Sequence, residues 1–175
     1  MKKYVVLIFV VWFNMVAVAQ NSDLPSKLSF GCSYVVLSDK QNDYGYAGLT
    51  VKSAFDNKTF VSTNLFFKLK DNLPYKFIFE GNIGKYSNSS SLFSKNGIKS
   101  RSMGSISFGI LGPNDKTINN ENYLIYSIGG SLGLEFSYKF LVLDLNIGPQ
   151  WDTENNLYSK FSTSLKFTLG EDWIP

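Results

Sequence analysis

The chain has 175 residues, 44% hydrophobic and 16% aromatic, which suits one folded domain and excludes a disordered protein. It holds no histidine and one cysteine, so His-based catalysis, His metal sites and an intrachain disulfide are excluded. The formal charge is +3, with Lys and Arg scattered singly and not gathered into the stripe that nucleic acid requires.

Lys2 and Lys3 precede "YVVLIFVVWFNMVAVA", an apolar run broken by Asn14 and closed by Ala17-Val18-Ala19. This reads as a secretory signal peptide, residues 1–19, cleaved before Gln20. The run is shorter than the ~20 residues of a membrane-spanning helix. Its removal takes Lys2 and Lys3 away and leaves 15 basic and 14 acidic residues. Residues 20–26 then form a short N-terminal segment, 27–169 the folded domain and 170–175 a tail.

Period-two alternation fills the rest, and it predicts eight strands. The first, 27–37, sets Leu28, Phe30, Cys32, Tyr34 and Val36 against Ser29, Gly31, Ser33 and Val35. The second, 44–55, sets Ala47, Leu49, Val51 and Phe55 against Tyr46, Gly48, Thr50 and Lys52. The third, 59–70, sets Val61, Thr63, Leu65, Phe67 and Leu69 against Ser62, Asn64, Phe66 and Lys68. The fourth, 75–86, sets Tyr75, Phe77, Phe79 and Ile83 against Lys76, Glu80, Asn82 and Gly84. In the fifth, 101–111, Ile106, Phe108 and Ile110 alternate with Ser105, Ser107 and Gly109. The sixth, 122–138, sets Leu124, Tyr126, Ile128, Leu132, Leu134, Phe136 and Tyr138 against Ser127, Gly129, Ser131, Gly133 and Glu135. The seventh, 140–148, sets Leu141, Leu143, Leu145 and Ile147 against Val142, Asp144, Asn146 and Gly148, after a turn at Lys139. The eighth, 157–169, sets Leu157, Phe161, Leu165, Phe167 and Leu169 against Tyr158, Lys160, Ser162, Ser164 and Lys166.

Alternation does not say which parity faces in. A soluble barrel hides the apolar parity, and an outer-membrane barrel turns it to lipid. Four features favour lipid. The strands have spanning length. The polar parity is rich in Gly, Ser and Asn, which suits a crowded eight-stranded interior. Aromatics gather near strand ends as girdles: Tyr75, Phe77, Tyr86, Tyr123, Tyr138, Phe140, Tyr158 and Phe167. The strand number is even. The predicted fold is therefore all-β, an eight-stranded antiparallel up-and-down transmembrane β-barrel.

The charges on the polar parity then fill the lumen: Lys52, Lys68, Glu80, Arg101, Glu135, Asp144, Lys160 and Lys166. Lone charges there are costly, so they are expected to pair, leaving no open pore. Connections 38–43, 112–121 and 149–156 read as outer loops, and 56–58 and 139 as short inner turns. Two connections break this rule: 71–74 is a short outer one and 87–100 a long inner one. Asp152 and Glu154 read as solvated loop charges. Cys32 reads as a small apolar filler, Gly129–Gly133 as mid-strand glycines without phosphate-loop chemistry, and Trp173 as an interfacial anchor.

The signal peptide, the eight alternating strands and the glycine-punctuated sixth strand resemble the small outer-membrane β-barrels typified by OmpX and the OmpA transmembrane domain. "AVAQ" resembles the leader junction of Bacteroidota secreted proteins. "VVLSDKQNDYGYAGLTV" and "ENYLIYSIGGSLGLEFSYKFLVL" are similar to the conjugative-transposon protein TraO, a small exported barrel-like envelope protein. The resemblance implies a non-enzymatic outer-membrane protein that acts through surface loops or envelope partners. Outer-membrane lipid is its expected surrounding, and no cofactor, metal or nucleic acid is expected. Two alternatives stand: an envelope component of a DNA-transfer apparatus, and a soluble periplasmic lipocalin-like barrel with the apolar parity lining a ligand cavity.

Overall fold

The structure, a computed structural model, describes residues 27–55, 58–70, 73–87, 94–95, 97–113 and 124–169. The expected signal peptide, residues 20–26, Tyr123 and the tail with Trp173 lie outside the described residues.

The strands are β1 (Lys27–Ser38), β2 (Asp43–Ala54), β3 (Thr59–Lys68), β4 (Tyr75–Tyr86), β5 (Ser94–Lys95), β6 (Ile98–Pro113), β7 (Ile125–Tyr138), β8 (Leu141–Asp152) and β9 (Leu157–Leu169). The sheet order is β4-β3-β2-β1-β9-β8-β7-β6-β5, and a β4–β6 pairing closes it. β5 is a two-residue rung on the start of β6, with Ser94 opposite Lys99. The other eight strands form a closed antiparallel up-and-down barrel. Closure pairs every strand on both sides, so no long strand keeps a free edge.

The alternation decides which way each wall residue points. On β1, Ser29, Ser33, Val35 and Leu37 are buried, while Phe30, Cys32 and Tyr34 are exposed. Around the barrel the apolar parity faces out: Leu132 is 72% exposed, Ile147 63% and Leu49 61%. The polar parity faces in, with Lys166 and Glu80 each 1% exposed. A lipocalin-like cavity would need Leu132, Leu134, Leu143 and Leu145 inside. The first three are exposed and Leu145 is only half-buried, so the apolar lining does not exist.

Several boundaries differ from the sequence reading. β8 runs on through Pro149–Asp152, so the supposed 149–156 loop shrinks to the turn 153–156. Pro149 ends no strand here because it sits where the β7–β8 ladder is already broken. The pairs Gly129/Gln150 and Leu132/Ile147 flank a gap at 130–131 and 148–149, and a proline has no N–H to fill it. β6 starts at Ile98 and reaches Pro113, which shortens both flanking connections. The alternation of β4 predicts Tyr75 on the apolar, outward parity. A register shift between Tyr75 and Phe77 turns it into the lumen instead, where it is 2% exposed.

Two turns at one end of the barrel are tied by aspartates. Gln41 and Asn42 N–H donate to Asp39 Oδ1 at 2.7 and 2.8 Å, and Tyr44 Oη donates to Oδ2 at 2.8 Å. Glu154 and Asn156 N–H both donate to Asp152 Oδ1 at 2.9 Å, around Asn155 with φ 65°. Both are Asx-type turns, in which a short carboxylate replaces backbone acceptors. At the opposite end Lys139 makes the tight β7–β8 turn with φ 51°.

Candidate functional site

The lumen is layered. At the end bearing the 39–42 and 153–156 turns, Val35, Leu37, Tyr46, Phe66, Leu73, Tyr75, Ile78, Leu111, Ile125 and Tyr158 form an apolar plug. Its hydroxyls are satisfied within it. Tyr75 Oη donates to Asp152 Oδ2 at 2.6 Å and lies 2.9 Å from Tyr158 Oη, and Tyr46 Oη accepts from Tyr75 N–H at 3.4 Å. At the other end Ala54, Phe60, Tyr86 and Met103 make a smaller plug.

Charged side chains occupy the space between. In the cluster nearer the smaller plug, Lys52 Nζ donates to Glu135 Oε2 at 2.6 Å and to Asp144 Oδ2 at 3.0 Å. Arg101 Nε donates to Glu135 Oε1 at 2.7 Å, Tyr86 Oη donates to Glu135 Oε2 at 3.0 Å, and Lys166 pairs with Asp144. Aromatic faces line the cations: Lys52 Nζ is 4.2 Å from the Phe60 ring centroid, and the Arg101 guanidinium stacks 3.2 Å from that of Tyr86. In the second cluster Lys160 pairs with Glu80, which accepts from Asn64 Nδ2 at 3.3 Å, while Thr50 Oγ1 donates to Asn64 Oδ1 at 2.6 Å.

The structure thus brings together seven of the eight lumen charges read from sequence. Lys68 is the exception. It stands half-buried at the end of β3, beyond Phe66, away from both clusters. Sequence reasoning missed the uncharged members Thr50, Asn64 and Tyr86, and it missed the large plug. A signal for the plug was present: Val35, Tyr46, Phe66 and Tyr158 are large residues on the polar parity, all near the same end of their strands.

Between the clusters lies a cavity of about 40 Å³ lined mostly by Ser, Thr and Asn side chains with Glu80, Asp144 and Lys160, and closed by Phe60, Phe66 and Met103 from the two plugs. Asp144 Oδ1 and Ser33 Oγ, both from lining residues, have no protein partner. A polar space of that size accepts a few water molecules, each needing about 10–15 Å³. The arrangement stores charge in a closed interior and, among the described residues, offers no group of carboxylates or thiols able to hold a metal. Asp152, expected as a solvated loop charge, is instead buried at the end of β8, where it accepts from Tyr75 Oη and from the backbone of its own turn, while Glu154 is exposed.

The expected aromatic girdle is partly real. Tyr138, Phe140 and Phe167 are exposed, and Phe140 stacks on Phe167 at 6.1 Å. Tyr75, Tyr86 and Tyr158 instead belong to the two plugs. Tyr126 and Trp151, 56% and 46% exposed, supply the belt at the opposite end.

No protein-family model and no curated protein sequence matches the chain. Among solved structures it is similar to neisserial surface protein A, NspA, with 8% identity over 82% of this chain and 94% of that one and a TM-score of 0.54. Two structures of Ail, the attachment invasion locus protein of Yersinia pestis, align over 82% of this chain and 97% of theirs. Their identities are 11% and 10%, and their TM-scores 0.41 and 0.39. The chain shares with NspA the small closed barrel fold.

Proposed function

We propose that the chain is a non-enzymatic outer-membrane β-barrel whose sealed lumen is structural and whose role is carried by its outward turns or by envelope partners. One observation carries this reading: the polarity of the barrel is inverted. Leu49, Ile83, Leu132 and Ile147 are exposed on the wall, while Lys52, Glu80, Glu135 and Lys166 are buried inside. In water, such a wall would be a continuous apolar patch far beyond the few hundred Å² a soluble monomer shows. Against lipid it is the favourable face. The basic and apolar start of the chain supports export to the outer membrane.

The end at which β1 begins and β9 finishes is assigned to the periplasm, so the 39–42 and 153–156 turns face outward. The TraO-like stretches fall largely on wall residues such as Leu49, Val51, Leu132 and Leu134, which any barrel of this kind needs. They support the architecture and add no partner.

Cell fractionation, with heated and unheated samples compared on a gel, tests the reading. Recovery in the membrane fraction, with altered migration when unheated, is the expected result. Recovery as a soluble periplasmic protein with no heat-dependent shift overturns it.

A further inference from the structure

The apolar wall is not uniformly convex. A shallow trough of about 680 Å³ crosses β3, β4, β6, β7 and β8 on the outside. Gly104 and Gly130 lie on its floor, where the wall's outward parity lacks a side chain. Ile83, Ile106, Leu132 and Ile147 form its shoulders, between 56% and 72% exposed. One end lies at the barrel rim, with Thr59 at the start of β3 and Lys85 next to the end of β4, paired in register. The other end, at Ile147 and Pro149, is in mid-strand. Because barrel strands tilt by about 35–45°, a furrow across five of them climbs obliquely from rim to mid-wall.

We propose that this trough seats one acyl chain of an anionic phospholipid, with the phosphate against Lys85. The inference rests on the membrane reading above. A methylene chain lying in the furrow touches apolar side chains on both flanks, and such contacts add up along its length. Lys85 is exposed and is the single charged side chain among the described residues that line the trough, so no carboxylate of theirs opposes it. An ammonium there binds a phosphate as a point charge, with the Thr59 hydroxyl beside it.

The glycines provide the test. A Cβ at Gly104 would come no closer than 3.5 Å to the nearest neighbour, and at Gly130 no closer than 3.7 Å, so both positions accept a Cβ at ordinary contact distance on the outward face. Gly104→Leu/Gly130→Leu fills the furrow, and Lys85→Gln removes the charge. The full chain, folded in detergent, is incubated with phosphatidylglycerol or phosphatidylcholine of identical chains, and lipid adducts are read by native mass spectrometry. The wild type is expected to retain one phosphatidylglycerol with a preference of roughly fivefold over phosphatidylcholine, the worth of one lysine at an anionic surface. Lys85→Gln should bring that ratio to parity, and the double leucine variant should lose both adducts. Equal retention of the two lipids by the wild type overturns the proposal, as does a preference that survives Lys85→Gln. A two-chain species lost in the leucine variant would assign the furrow to a second copy and likewise overturns it. Heat-dependent migration of each protein keeps the two questions apart: a barrel that shifts on heating yet shows no lipid preference sinks the trough alone.

Discussion

Glu135 and Asp144 stand opposite each other in register across the β7–β8 hairpin, and both carboxylates receive the same ammonium, Lys52, at 2.6 and 3.0 Å. Two like charges that close would repel strongly in a dry interior. Lys52 between them, with Arg101 and Lys166 on their far sides, turns the repulsion into a compact network. The cluster therefore holds three cations and two anions, and removing one anion leaves buried positive charge without compensation.

Glu135→Gln should accordingly destabilise the barrel by roughly 3–5 kcal/mol, the cost of breaking a buried pair by removing one partner. Urea unfolding of the reconstituted protein measures it. A loss under 1 kcal/mol would mean that water reaches the cluster and screens it.

The outward face makes a depth-dependent prediction. Leu132 lies in mid-strand and Leu169 ends β9 at the rim, both fully outward. Leu132→Arg should cost about 2–4 kcal/mol of folding free energy in a bilayer, and Leu169→Arg about 0–1 kcal/mol. Folding titrations into vesicles compare the two. Equal, near-zero costs would place the wall in water.

Glycines of the wall should differ in tolerance. A Cβ on Gly148 would collide with the Gly130 carbonyl oxygen, where β7 and β8 press together at the ladder gap. Gly148→Ala is expected to lose roughly 1–3 kcal/mol, as overpacking does, whereas Gly104→Ala meets only ordinary contacts. Parallel unfolding curves for the two variants decide the point.

The 39–42 turn carries a pH dependence. Hydrogen bonds from Gln41 N–H, then Tyr44 Oη and Asn42 N–H, hold the Asp39 carboxyl below its usual 3.8. A carboxyl lowered in the folded state stabilises its turn above pH 3.8 and loses that contribution as pH falls through the folded value. A carboxyl NMR titration should give a midpoint below 3.8 for Asp39, moving part of the way back up when Tyr44→Phe removes one of its three donors. An unshifted midpoint in the wild type would show the turn to be open in solution.

The strands and their two faces are legible in the residue order, because a side-chain period of two follows from strand geometry wherever it occurs. It also marked the charges: Glu135 and Asp144 share one parity of two otherwise apolar strands. Tertiary structure decided the rest. Which cation serves which carboxylate depends on shear and register around a closed wall, and Lys52 meets Glu135 across 83 residues of chain. The inward turn of Tyr75 depends on a single register shift, invisible to a parity count. The continuation of β8 through Pro149 depends on a gap already present in its neighbour's ladder. Periodicity is local and survives in sequence. Closure, bulges and ion partners are long-range, and only the folded barrel fixes them.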